Sequence, residues 1–151
     1  MRIEESVAIE RPIDEVFPYV GDPDKHAEWV TGIRQSTKTS SGPLGVDATY
    51  RQETKALGRT LENNWEISAY EPPCVMEQRM DRGAMRGLIR FTLEETGRGT
   101  RVMLVSEGET GGLLKLADPV VARTLKKQFA ADLETLKTLL ENQPAIAGAA
   151  S

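Results

Sequence analysis

The feature that most constrains this chain is a change of period partway along it. Between Ile33 and about Thr110, side chains alternate at every second position between a largely apolar set and a charged set. Past Asp118-Pro119, apolar residues recur instead at spacings of four and three. The first pattern places one set of side chains on one face of a strand, and the second builds one stripe on a helix. Five segments carry the alternation: Val46-Ala48-Tyr50-Gln52-Thr54, Leu61-Asn63-Trp65-Ile67-Ala69, Met76-Gln78-Met80, Ile89-Phe91-Leu93 and Val102-Leu104-Ser106. They are separated by the turn signals Leu57-Gly58, Glu71-Pro72-Pro73, Asp81-Arg82-Gly83 and Gly97-Arg98-Gly99. Connections this short join antiparallel neighbours, so the segments form a meander with one apolar and one charged face. A weaker strand spans Ile33 to Thr39, before the loop Ser40-Ser41-Gly42-Pro43.

The helical part begins at Asp118-Pro119, a good cap and first helical residue, and carries Val121, Leu125, Phe129, Leu133, Leu136 and Leu140 on one face. It should run for about 23 residues, roughly 35 Å. Leu113, Leu114, Leu116 and Ala117 are expected to add a partly separate turn before it. At the other end, IEESVAIE from Ile3 to Glu10 reads as a half-buried strand closed by Arg11-Pro12. Pro12 opens a helix with Asp14 and Glu15 in its positive first turn, and Pro18 should keep that helix short or kinked. Gly21 and Asp22 stop it, and Asp22-Pro23 starts a second short segment reaching Trp29.

The expected fold class is therefore α+β: a curled antiparallel sheet of about seven strands, two short helices after the first strand, and one long C-terminal helix. A single helix about 10 Å across cannot fill the concavity of such a sheet, so a pocket is expected between them, closed at one end by the short helices. Residues 1–142 are read as one domain, and 143–151, which lack any period, as a disordered tail.

Composition narrows the chemistry. A net charge of −4 argues against generic nucleic-acid affinity. No run of about 18 apolar residues suggests a membrane span, the charged start Arg2-Ile3-Glu4-Glu5 is no leader, and a lone cysteine, Cys74, suits a reducing cytoplasm. With one cysteine and one histidine, His26, there is no zinc-ligand spacing, no G-x-S-x-G elbow and no phosphate-binding glycine loop. No metal or cofactor is expected.

The stretch 12-PIDEVFPYVGDPDKHAEWV-30 resembles the entrance motif of the START-like (SRPBCC) superfamily. The segments 71-EPP-73 and 99-GTRV-102, followed by a long Leu-rich terminal helix, fit the same pattern, and the likeness spans residues 2–142. The chain looks most like the polyketide cyclase/dehydrase branch, in the helix-grip fold shared with the birch pollen allergen. Pro18 departs from the pattern at the pocket's end. The resemblance implies a hydrophobic cavity between sheet and terminal helix. Members bind lipids, sterols, polyketides or plant hormones, and some catalyse cyclisation or dehydration, so the fold does not select an activity.

If the apolar strand faces point inward, they carry Tyr50, Gln52, Asn63, Trp65, Gln78 and Ser106 with them as candidate ligand contacts. Met76, Met80, Phe91 and Leu104 supply sheet walls, and Leu114, Val121 and Leu125 supply the helical side. A buried amide must find a partner, so Asn63 and Gln78 either meet ligand, bond each other or a strand-end backbone, or are turned out by a bulge. Trp65 reads most simply as core, and Trp29 as packing the second short helix onto the sheet. His26, between Asp24, Lys25 and Glu28, reads as a solvated surface histidine rather than a general base. Cys74 reads as a small buried apolar residue. Arg79, Arg82, Arg86 and Arg90 balance Glu77, Asp81 and Glu94 on the outer face in preference to forming an anion site, and Lys126-Lys127 reads as an exposed helix face. Glu107 would enter the pocket only through a bulge. Were the pocket catalytic, Glu107, Gln78 and Tyr50 would be the groups to test.

Three functions stay open: binding of a small hydrophobic molecule (lipid, polyketide or aromatic), a cyclase or dehydratase using the same cavity, and a protein-interaction module with a filled core. Met103 and Val105 on the outer face of the last strand raise a homodimer contact as a further expectation.

Overall fold

The computed structural model describes residues 2–56, 58–82, 85–110 and 119–143. Strand β1 (Arg2–Ile9) leads into α1 (Ile13–Val20) and a short 3-10 helix (Pro23–Glu28). Strands β2 (Ile33–Lys38), β3 (Thr49–Ala56), β4 (Arg59–Glu71), β5 (Val75–Arg82), β6 (Met85–Thr96) and β7 (Gly99–Thr110) follow, and α2 (Pro119–Glu141) comes last. The seven strands form one curled antiparallel sheet in the order β1-β7-β6-β5-β4-β3-β2. Because β1 and β2 are consecutive in the chain but lie on opposite edges, the segment joining them must cross from one edge to the other. That crossing is made by α1, which packs on β6 and β7, and by the 3-10 helix, which packs on β2.

The early punctuation behaves as its residues require. Pro12 precedes the first turn of α1, and Asp22 caps the 3-10 helix by accepting from the Asp24 N–H. The helix passes through Pro18 and stops after eight residues, where the Gly21 N–H reaches the Phe17 carbonyl at 2.7 Å. Pro72-Pro73 is a cis bond in the turn between β4 and β5, closed by the Cys74 N–H on the Glu71 carbonyl at 2.8 Å. Gly99 is held for a different reason. A Cβ there would lie 2.1 Å from the Ile9 carbonyl oxygen, so only glycine lets β7 start against the end of β1. Thr100, fully buried, donates to the Arg11 carbonyl at 2.8 Å in the same corner.

Three expectations are corrected. Val46 and Asp47 are not strand: Asp47 sits at φ 73°, Val46 is exposed, and β3 begins only at Thr49. Cys74 is exposed, because it lies in the turn after the two prolines and not in the strand. A bulge between Ile67 and Ala69 breaks the alternation of β4, so that Tyr70, opposite Met76, faces inward where Ala69 was expected. Leu113, Leu114, Leu116, Ala117 and the tail from residue 144 lie outside the described residues.

Helix α2 is fastened on both flanks. Toward β1, Lys126 Nζ meets Glu5 Oε1 at 2.9 Å and Lys137 Nζ donates to the Ala8 carbonyl at 2.9 Å. So Lys126, though exposed, does more than face solvent. Toward the loop before β2, Asp132 Oδ1 accepts from the Thr31 N–H at 3.0 Å and from its hydroxyl.

Candidate functional site

The register places the candidate side chains in rows across the concave face. On β3 and β4, Tyr50 stands opposite Trp65 and Gln52 opposite Asn63. One row then runs Ile67, Gln78, Ile89, Ser106 and Ile3. A second runs Tyr70, Met76, Phe91, Leu104 and Glu5. A third holds Met80, Gly87 and Gly108. The sheet candidates are thus brought onto one face. Leu125 is half-buried on α2, while Leu114 and the side chain of Val121 lie outside what the structure describes.

The two ends of this face differ. Toward the short helices everything is closed: Val16, Phe17, Val20 and Trp29 pack with Tyr50, Ile67, Met76, Phe91, Leu93, Val102 and Leu104 in one buried cluster. Leu133, Leu136 and Leu140, from the second half of α2, complete it. Trp29 donates from Nε1 to the Tyr19 carbonyl at 3.1 Å, as suits a residue that fixes the short helix to the sheet. Toward the other end, Trp65, Met80, Ile89, Ser106, Leu125 and Phe129 are only half-buried although they face inward. The first half of α2 therefore covers its part of the sheet less tightly than the second half does.

His26 belongs to the closed end, which corrects the reading of it as a surface residue. It is 2% exposed, its ring lies 5.4 Å from Trp29 and 5.7 Å from Phe91, and Nε2 is 2.9 Å from the Val20 carbonyl. Burial drives its pKa down to about 4, against the pull of the Val20 carbonyl and Asp22, so it is neutral at physiological pH and donates from Nε2. A signal for this was present. In a 3-10 helix residues three apart share a face, and Pro23, His26 and Trp29 are all buried.

The polar candidates separate once their partners are known. Gln52, 2% exposed, donates to Ser36 Oγ at 3.2 Å and is satisfied within the sheet. Asn63 is half-buried opposite it. Gln78 is 2% exposed and its Oε1 has no hydrogen-bond partner among the described residues; Trp65 Nε1 is equally buried and equally unpartnered. Each such atom costs about 1–3 kcal/mol unless something else meets it. Tyr50 is raised above the usual phenol range, first by burial and then by Asp22, Asp24 and Tyr70, so it holds its proton. Glu107 keeps to the outer face: the β6–β7 register is regular, and its carboxylate meets Arg2 Nη1 at 2.8 Å. Glu5, an inward carboxylate opposite Leu104, is taken by Lys126.

On the outer face, Glu77 is buried between Ser68 Oγ at 2.8 Å, Arg90 Nη1 at 3.1 Å and Arg79 Nε at 3.4 Å. Burial alone would raise its pKa, but Ser68, Arg90 and Arg79 outweigh that and hold it below the usual carboxylate range. These arginines balance Glu77 as expected. Two open surface hollows of about 430 and 440 Å³ lie elsewhere, one between Glu28 and α2 and the other around Pro12 and Arg98. Among the described residues no group of three or more His, Cys, Asp or Glu is placed to hold a metal, and no helix is long and apolar enough to cross a membrane.

Solved structures superpose on almost the whole chain. A START superfamily protein from Mycobacterium smegmatis does so with a TM-score of 0.78 at 13% identity, over 93% of this chain and 97% of its own. Ara h 8.0201 gives 0.73 at 16% identity, over 95% and 99%. The di-domain ARO/CYC StfQ from the steffimycin biosynthetic pathway gives 0.75 at 12% identity, over 93% of this chain and 50% of StfQ. At these identities the likeness is one of fold. No curated protein is matched by the sequence. The family model described as polyketide cyclase / dehydrase and lipid transport matches residues 1–141, and this chain belongs to that family.

Proposed function

We propose that this protein binds a small, mostly apolar molecule between the sheet and the first half of α2. The observation that carries this reading is the change in burial along that helix. Leu133, Leu136 and Leu140 are at most 2% exposed, whereas Leu125 and Phe129, on the same stripe, are half-buried, as are Ile89, Met80 and Trp65 on the inward face of the sheet. A site of this kind is apolar over most of its wall, with a few polar atoms that fix orientation, and Gln78 and Trp65 supply those. Met80 adds an adaptable wall.

A cyclase or dehydratase using the same space is the second reading, favoured by the family description and by the likeness to StfQ. Binding stands ahead of it because three of the titratable groups on this face, Tyr50, His26 and Glu5, are poorly placed for acid–base work at neutral pH. Tyr50 is raised, His26 is neutral beneath the short helices, and Glu5 is paired.

Native mass spectrometry of protein purified from its own source, with denaturing extraction, tests the reading. A stoichiometric small molecule is expected, and added ligand at about 100 times its Kd should stabilise the fold by about 2.7 kcal/mol. A ligand-free mass, with no rise in melting temperature on adding fatty acids, flavonoids or aromatic polyketides, would sink it in favour of a filled-core interaction module.

A further inference from the structure

Among the described residues, two buried sheet side chains on the concave face each have an atom without a hydrogen-bond partner, and the two atoms are of opposite kind. Trp65 Nε1 can only donate, and Gln78 Oε1 can only accept. Gln78 stands opposite Ile67, two residues beyond Trp65 on the same strand, so the two side chains are diagonal neighbours on one face. Diagonal neighbours on adjacent strands are close enough for long side chains to reach a common group. We infer that the molecule bound here is uncharged and carries a hydroxyl group, which accepts from Trp65 Nε1–H and donates to Gln78 Oε1. This rests on the binding reading above and adds the chemical class of the ligand to it.

A hydroxyl is the smallest group that both accepts and donates. A ketone would satisfy Trp65 and leave Gln78 Oε1 bare. A carboxylate has no proton to give that oxygen, and the charged groups placed in this region are already engaged. Lys126 holds Glu5, while Arg79 and Arg90 hold Glu77 on the opposite face of the sheet. Burying an anion without a partner is costly, so charge is selected against. Beside the pair, Gly87 and Gly108 stand directly opposite each other. A Cβ at Gly87 would meet nothing nearer than the Glu107 carbonyl oxygen at 3.5 Å, so no side chain from that position competes for the space.

Binding of 2-naphthol, naphthalene and 2-naphthoate, and of 1-decanol and decanoate, tests this in the full chain and in Gln78→Leu and Trp65→Phe. The alcohols should bind about tenfold more tightly than the hydrocarbon or the acids, the worth of a hydrogen-bonded pair in a buried site. In each variant that preference should fall close to one, with hydrocarbon binding retained. In nitrogen-15 NMR spectra of the unmodified protein, the Trp65 indole N–H and the Gln78 amide should shift with 2-naphthol and not with naphthalene. Equal binding of alcohol and hydrocarbon, tighter binding of the acids, or a preference that survives in folded Gln78→Leu would overturn the inference while leaving the binding reading in place. Binding of none of these probes would overturn both. Should a variant not fold, the NMR comparison decides: equal shifts with naphthol and naphthalene count against it.

Discussion

At the scale of single residues, His26 shows how much one buried group can weigh. Folding takes its imidazole from water to a site between Trp29 and Phe91, and its pKa falls from 6.5 to about 4. The unfolded chain therefore binds the proton more readily than the folded one between these values. Stability is full above about pH 6.5 and is lost as the pH falls toward 4. Denaturant titrations should show about 2 kcal/mol less stability at pH 5 than at pH 7 from this group, with the loss absent in His26→Gln. An equal loss in that variant would assign the acid sensitivity elsewhere. Glu77 works in a lower window, since its depressed pKa gives stability that is present above the ordinary carboxylate value and lost only as the pH falls through the folded one. Neither burial was legible from composition. The three-residue spacing of Pro23, His26 and Trp29 points to a shared face only when the segment is read as a 3-10 helix, and Asp22-Pro23 does not distinguish that from an α-helical turn.

At the scale of elements, the corner where β1 ends and β7 begins has the least tolerance. A Cβ at Gly99 would run into the Ile9 carbonyl and the Arg11 nitrogen, and Thr100 bonds the Arg11 carbonyl. Gly99→Ala cannot be accommodated by a side-chain rotation because the atoms in the way are backbone. It should cost about 2–3 kcal/mol by equilibrium unfolding, as overpacking does. The neighbouring Gly97, where a Cβ meets nothing within 4 Å, should accept Ala with a change below about 1 kcal/mol. A tolerant Gly99 would mean that β1 and β7 can part there without penalty. The GTRV motif thus has a physical reading: close approach, an inward hydroxyl donor, an exposed arginine and a core valine. The strands and the helical character of the segment from Pro119 were legible as changes of period, although Asp81 and Arg82, read as a turn, continue β5 in pairing with β6. The bulge at residue 68 was not, since nothing in Ile67-Ser68-Ala69-Tyr70 marks which residue the partner strand will skip.

At the scale of the whole molecule, the helix is tight at one end of the sheet and looser at the other. The same substitution should therefore cost different amounts along one apolar stripe. Leu136→Ala, in the closed core, should lose about 3 kcal/mol, and Leu125→Ala about 1 kcal/mol or less. Thermal or denaturant unfolding of the two variants checks this, and equal losses would mean that α2 is packed evenly and that no space is left under its first half. A ligand that fills such a space should protect Leu125→Ala less well than it protects the parent chain.

The sequence by itself determined which segments are strand and which helix, the punctuation by Pro12, Asp22 and Pro72-Pro73, the α+β class and the family resemblance. These are properties of neighbouring residues in the chain, and local backbone geometry expresses them wherever they occur. Only the tertiary structure decided that Gln52 is satisfied by Ser36 while Gln78 and Trp65 are not, that Glu107 stays outside, and that Leu125 and Leu136 differ in burial. Whether a polar group is paired, or an apolar one covered, depends on residues far away in the chain that curvature and register bring opposite it, and spacing along one strand or helix carries no record of them.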